Sequence, residues 1–176
     1  MSLYSIFETP IWKIRKNLPE GAYKWALDFK EKDPKGVLKS NRGGYQSIAQ
    51  HPKDFPYHKH ISSMLSRNKF SNIKVYDWWL NINEKGDYNI MHTHSGSHFS
   101  CIWYITNNEG SLVLSSPLTH TRVALLVSGF PINLEEVVNC SAGTLLVFPS
   151  DIPHYVEEHK LDTPRISVSF NMVIKH

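Results

Sequence analysis

The sequence lacks the features that mark several large classes of protein. It has two cysteines, Cys101 and Cys140, with neither the paired spacing of a zinc ribbon nor a CxxC redox site. One disulfide is the most they could form, and both read as buried thiols. No apolar run approaches the roughly 20 residues needed to cross a bilayer. The opening MSLYSIFETPIWKIRK places its Lys and Arg after the apolar residues, the reverse of a secretory signal, so a soluble cytoplasmic protein is expected. An excess of one charge is missing too. The formal net charge is +3 and the basic residues are scattered, so neither a nucleic-acid nor a membrane partner is expected. There is no internal repeat, no low-complexity tract, no GxSxG elbow and no GxxxxGK[ST] loop.

What is present is an ordinary globular balance, 41% hydrophobic and 20% charged residues. The length suits one domain over 1–176, with a strand-plus-helix part at 1–70 and a strand-rich core at 71–176. SIFETPIWKI alternates like a strand. PEGAYKWALDFKEKD carries Tyr23, Ala26, Leu27 and Lys30 at helical spacing, and PYHKHISSMLSRNK does the same with Tyr57, Ile61, Met64 and Leu65. His58 and His60 point to different sides of that second helix and read as surface residues. SNRGGYQS, residues 40–47, is turn chemistry, with two glycines suited to a tight turn or a close backbone approach.

From residue 74 the period changes to two. KVYDWWLNIN, HFSCIWYIT, GSLVLSSP, TRVALLVS, EEVVNC, GTLLVFPS, HYVEEH and RISVSFNMVI are short, rich in Val, Ile and aromatics, and punctuated by Gly, Pro, Asn or Asp. About eight such strands argue for a sandwich or barrel with the helices packed outside. The adjacent Trp78 and Trp79 must face opposite sides, one toward core and the other toward a pocket or a helix.

Within GDYNIMHTHSGSHFSCIWY, His92 and His94 stand at i and i+2, so on a strand or at its entrance they project together while Thr93 turns away. Taken alone, HTH reads equally well as two ordinary histidines. His154 follows the turn PSDIP and opens a later strand, about 60 residues on. In a double-stranded β-helix, strand ends that carry histidines converge at one mouth of the barrel. His92, His94 and His154 fit that geometry as a metal-binding face.

The run from Asn89 to Tyr104, HTHSGS followed by SCIWYI, resembles the iron-binding strand pair of Fe(II)/2-oxoglutarate oxygenases, in a small branch with HxHxxS and then an SGxYY-like strand. FETPIW, SNRGGYQS, WWLNINEKGDYNIMHTH and GTLLVFPSDIPHYV with RISVSFN resemble the same branch in the same order. The likeness covers nearly the whole chain and is weakest in the helices and over 116–140. It implies a mainly β fold, a jelly roll, whose His92, His94 and His154 hold Fe(II) while 2-oxoglutarate chelates the metal as cosubstrate. It also implies hydroxylase-type oxidation of a small-molecule or peptide substrate, with succinate and CO2 as coproducts. Arg165 then suits the distal carboxylate, because its planar fork of donors matches one. Ser167, two residues along, shares its face, and Tyr104 and Asn81 on neighbouring strands are further candidates. Asn41, Arg42, Tyr45 and Gln46 are candidates for the rim of the mouth, with a plain turn as the other reading.

The common ligand set of this superfamily has a carboxylate two residues after the first His, where this chain has His94. A neutral imidazole there leaves the iron one unit more positive and shifts its ligand preference. His98 and Asp87 are the nearest spare donors, with His98 expected to face substrate at most. A cupin-like three-His enzyme or binding module without 2-oxoglutarate is the rival reading: Gly86 precedes HxH, and Gly143 and Pro149 precede His154, in cupin fashion. The cupin glutamate is missing, however, and a cupin has no need of Arg165. A third reading is a structural or sugar-binding jelly roll with incidental histidines. A homodimer is left open.

Overall fold

The computed structural model describes residues 8–68, 70–129 and 132–175. Residues 5–7 of the expected first strand lie outside these. Among the described residues there are eleven strands: β1 (Trp12–Arg15), β2 (Asn41–Arg42), β3 (Tyr45–Gln46), β4 (Ile73–Asn83), β5 (Tyr88–His92), β6 (Phe99–Tyr104), β7 (Asn108–Ser115), β8 (Glu135–Cys140), β9 (Thr144–Pro149), β10 (His154–Val156) and β11 (Arg165–Ile174). Among the described residues three α-helices accompany them, α1 (Ala22–Lys32), α2 (His58–Ser66) and α3 (Thr119–Val127), with a short 3-10 helix at Pro52–Asp54. The strands form two antiparallel sheets, ordered β1-β9-β6-β11-β4-β3 and β2-β5-β10-β7-β8, and the fold is a jelly roll.

Alternation along the strands of the larger sheet decides what each face does. On β4, Trp78, Leu80 and Ile82 point outward under the helices; on β11, Ile166, Val168, Phe170 and Met172 do the same. Ala22 and Ala26 of α1 and Ile61, Met64 and Leu65 of α2 close this core. Small alanines let α1 approach closely, and Trp25, Phe29 and Phe55 surround Trp78 at ring separations of 5.0–5.9 Å. The opposite face of the sheet looks into the sandwich. There Tyr104, Leu146 and Phe148 meet Leu112, Leu114, Val138 and Cys140 of the smaller sheet.

Several sequence expectations change. TRVALLVS is helix α3 rather than a strand: Val123, Leu125, Leu126 and Val127 are 40–82% exposed, so no buried sheet face selects a period of two. The buried face of α1 runs through Ala22, Trp25, Ala26 and Phe29, while Tyr23 is exposed, because the aromatic cluster around Trp78 draws Trp25 and Phe29 inward. SNRGGYQS is more than a turn. Its β2 pairs with β5 in one sheet and β3 with β4 in the other, so the chain crosses between sheets at Gly43–Gly44. Gly43 has φ 84, and a Cβ there would strike the Asp87 carboxylate, which is why glycine is required. His60 is not a surface residue: it is half-buried with its ring 5.7 Å from that of Trp103. Cys101 and Cys140 are free, buried thiols, as expected.

Candidate active site

His92 ends β5 and His154 begins β10, and the antiparallel register sets the two directly opposite each other. Cross-strand partners stand about 5 Å apart at Cβ, so pairing alone brings these imidazoles together. The ring centroids are 4.3 Å apart. His94, just past the strand, completes the group, stacked on His154 at 5.1 Å and 5.0 Å from His92. Ligand-capable atoms of the three rings all lie within 4.8 Å of one another, close enough to share one ion.

The rings are held with their lone pairs free. His92 Nδ1 meets the Ile90 carbonyl at 2.8 Å and His154 Nδ1 meets the Ile152 carbonyl at 2.9 Å. A carbonyl only accepts, so each Nδ1 carries the proton and each Nε2 keeps its lone pair for a metal. His94 instead lies against Trp79, rings stacked at 5.4 Å. Its loop is tied down by Ser150: His94 N–H donates to the Ser150 carbonyl at 3.0 Å, and Ser97 and Ser100 bond the Ser150 hydroxyl at 2.9 and 3.1 Å. Burial disfavours the charged form of all three imidazoles, and in addition His92 opposes protonation of His94 while His92 and His94 oppose that of His154. His92 is lowered, His94 falls to about 4 and His154 to about 3. All three are neutral ligands near pH 7.

The same cavity contains Arg165, 4% exposed, at the start of β11. Neither Nη1 nor Nη2 has a hydrogen-bond partner. Burial lowers its pKa to about 10, with Tyr104 and Asp87 favouring the charge, so it is cationic at neutral pH. Ser167, Tyr104 and Asn81 also line the cavity, with Asn83, Asn89 and Asn108. Asn108 Nδ2 donates to the Tyr104 hydroxyl at 3.3 Å, and Asn81 Nδ2 to Ser169 Oγ at 3.0 Å. An unsatisfied guanidinium inside a polar cavity can receive an anion with paired oxygens.

The other candidates divide. Gln46 lines a groove that adjoins His92 and His94, whereas Tyr45 is buried in the outer core, Asn41 donates to the Gly44 carbonyl and Arg42 bonds the Lys39 and Asn41 carbonyls. His98 is exposed, accepts the Ile174 N–H on Nδ1 and does not line the cavity. Asp87 caps the turn before β5 through Glu84 N–H. Ser97, Ser100, Ser150 and Trp79 position His94, a role that residue spacing does not announce although HTHSGS and SCIWY contain two of the serines.

A jelly roll with an imidazole trio that could hold a metal ion and an unpaired buried guanidinium in the same cavity has the parts that a non-haem metal protein with a carboxylate cosubstrate needs. Residues 77–171, more than half of the chain, match the family described as "Putative 2OG-Fe(II) oxygenase", and the chain belongs to it. It is thus a 2-oxoglutarate-dependent oxygenase, with Fe(II) and 2-oxoglutarate as its cofactor and cosubstrate. No curated protein matches the sequence. Among solved structures, the non-haem α-ketoglutarate dependent carbocyclase SnoK from nogalamycin biosynthesis has a TM-score of 0.68 at 14% identity, covering 96% of this chain and 80% of that one. HygX from Streptomyces hygroscopicus, with nickel and 2-oxoglutarate bound, has a TM-score of 0.61 at 13% identity over 94% and 83%. A Pseudomonas putida prolyl-4-hydroxylase has a TM-score of 0.62 at 14% identity over 96% and 94%. These likenesses establish the shared fold. Among the described residues no helix is long and apolar enough to cross a membrane.

Proposed function

We propose that the protein hydroxylates an organic substrate, with His92, His94 and His154 holding Fe(II) and Arg165 holding the distal carboxylate of 2-oxoglutarate. The observation that carries this reading is the bare Arg165 guanidinium in the cavity of the three histidines. A three-histidine binding module without 2-oxoglutarate would have no use for a buried, unpaired cation, whose desolvation costs several kcal/mol. When bound, the metal and cosubstrate supply the oxidising power: O2 is reduced, one oxygen goes to the substrate, and 2-oxoglutarate leaves as succinate and CO2.

The protein's own part is position and electrostatics. The Ile90 and Ile152 carbonyls fix the tautomers of His92 and His154, and Trp79 braces His94. Arg165 supplies charge and a two-pronged donor, while the hydroxyls of Tyr104 and Ser167 and the amide of Asn81 are further hydrogen-bonding groups for the cosubstrate. The free thiols Cys101 and Cys140 suit the reducing cytoplasm. The test is succinate formation from 2-oxoglutarate with added Fe(II). The wild type should turn over, His154→Ala should not, and Arg165→Ala should need far more 2-oxoglutarate. Full turnover by Arg165→Ala at the wild-type 2-oxoglutarate concentration would overturn the assignment.

A further inference from the structure

The paired strands β4 and β11 form a ladder whose inner face runs from a cation to an anion. Its rungs, in register, are Arg165 with Asn83, Ser167 with Asn81, Ser169 with Trp79, and Asn171 with Asp77. Residues two apart share a face and are separated by about 7 Å along a strand. Arg165 therefore marks one end, Trp79 and the histidine stacked on it stand further along, and Asp77 lies one step beyond Trp79.

Asp77 and Asn171 are not in the Arg165 cavity. They line a second groove together with His92, Thr93 and His94, and Val37, Leu38, Lys39 and Ile48 lie along its wall. Three oxygens in this groove have no hydrogen-bond partner: Asp77 Oδ1, Asn171 Oδ1 and Gln46 Oε1. The three ion pairs among the described residues involve Lys24, Lys30 and Lys85, and none includes Asp77. Burial also raises its pKa despite help from Asn171, as expected of a carboxylate short of a counter-charge.

Resting on the oxygenase reading above, we propose that this groove seats the substrate to be oxidised, which carries a primary ammonium beside an apolar stretch, with Asp77 as counter-ion. An ammonium has three donors and no acceptor, so it suits oxygens that lack donors. Asn171, opposite Asp77, offers the adjacent acceptor, and Gln46 on β3 offers another for a second N–H or O–H further along. Leu38 and Ile48, 73% and 52% exposed, give the apolar part a wall to cover. The ladder keeps the two charged recognition events apart: the dicarboxylate goes to the Arg165 end and the cationic substrate to the Asp77 end, with the histidines beside the rung between.

The test uses the anaerobic protein loaded with Fe(II) and 2-oxoglutarate, and hexylammonium, hexan-1-ol and hexanoate as probes in calorimetry. Each sample is first checked for the visible metal-to-cosubstrate charge-transfer band. Hexylammonium should bind at least tenfold more tightly than hexan-1-ol, and hexanoate more weakly than either. In Asp77→Asn samples that show the band, the preference for hexylammonium should vanish. If that variant fails to give the band, Asp77→Ser is read in the same way. Equal binding of hexylammonium and hexan-1-ol, or a preference that survives loss of the carboxylate, overturns the inference and leaves the oxygenase reading intact. Absence of the band in the wild type overturns both.

Discussion

A guanidinium enclosed without acceptors costs free energy, because the hydration it gave up is not replaced. Arg165 is in that position, and the ligand-free fold tolerates it. Arg165→Met, similar in length and uncharged, should therefore leave thermal stability of the ligand-free protein equal or higher. Its affinity for 2-oxoglutarate should fall by about 2–4 kcal/mol, the usual cost of deleting one partner of a buried hydrogen-bonded charge pair. Melting curves with and without 2-oxoglutarate separate the two effects. His154 makes an opposite demand. Its pKa is about 3 in the fold, against the ordinary 6.5 of an unfolded histidine, so the unfolded chain binds more protons at mildly acid pH. Stability of the metal-free protein is then full above pH 6.5 and falls as pH drops toward 3. By pH 5 His154 alone should remove about 2 kcal/mol, seen as a lower urea midpoint than at pH 7.5.

At the scale of elements, β4 carries two neighbouring tryptophans with different tasks, and alternation made this split legible in the sequence. Trp78, 1% exposed, packs among Trp25, Phe29 and Phe55, whereas Trp79 stacks on His94. Trp78→Ala should cost about 4 kcal/mol of stability. Trp79→Ala should cost much less but weaken Fe(II) binding by roughly tenfold, the size of effect that support of a metal ligand usually has. Chemical denaturation and a metal titration on both variants distinguish the two. The crossing at Gly43–Gly44 was only partly legible. Glycine and asparagine announce a bend, but pairing of the flanking dipeptides to different sheets depends on partners far along the chain. Gly43→Ala, forced to φ 84 against Asp87, should destabilise by about 1–3 kcal/mol. Helix α3 departs from the expected strand for a related reason: short runs of Leu and Val have no decisive period when no buried face selects one.

At the scale of the molecule, the two-sheet sandwich makes a site from residues scattered along the chain. The sequence showed the HxH pair, the later histidine and the arginine, because those side chains stand out chemically and occupy strand ends. It did not show the Asp77–Asn171 rung or the serine tie behind His94, since these depend on register and loop contacts rather than on spacing. On the proposed function, one cavity takes Fe(II) through three histidines and 2-oxoglutarate through Arg165. The most direct test is an anaerobic titration of metal-free protein with Fe(II) and then 2-oxoglutarate, repeated with His94→Ala and Arg165→Ala. A visible charge-transfer band that appears only after both additions, and is lost or shifted to much higher ligand concentration in both variants, is the expected result. Tight Fe(II) binding with no band, or an unchanged band in Arg165→Ala, would contradict the claim.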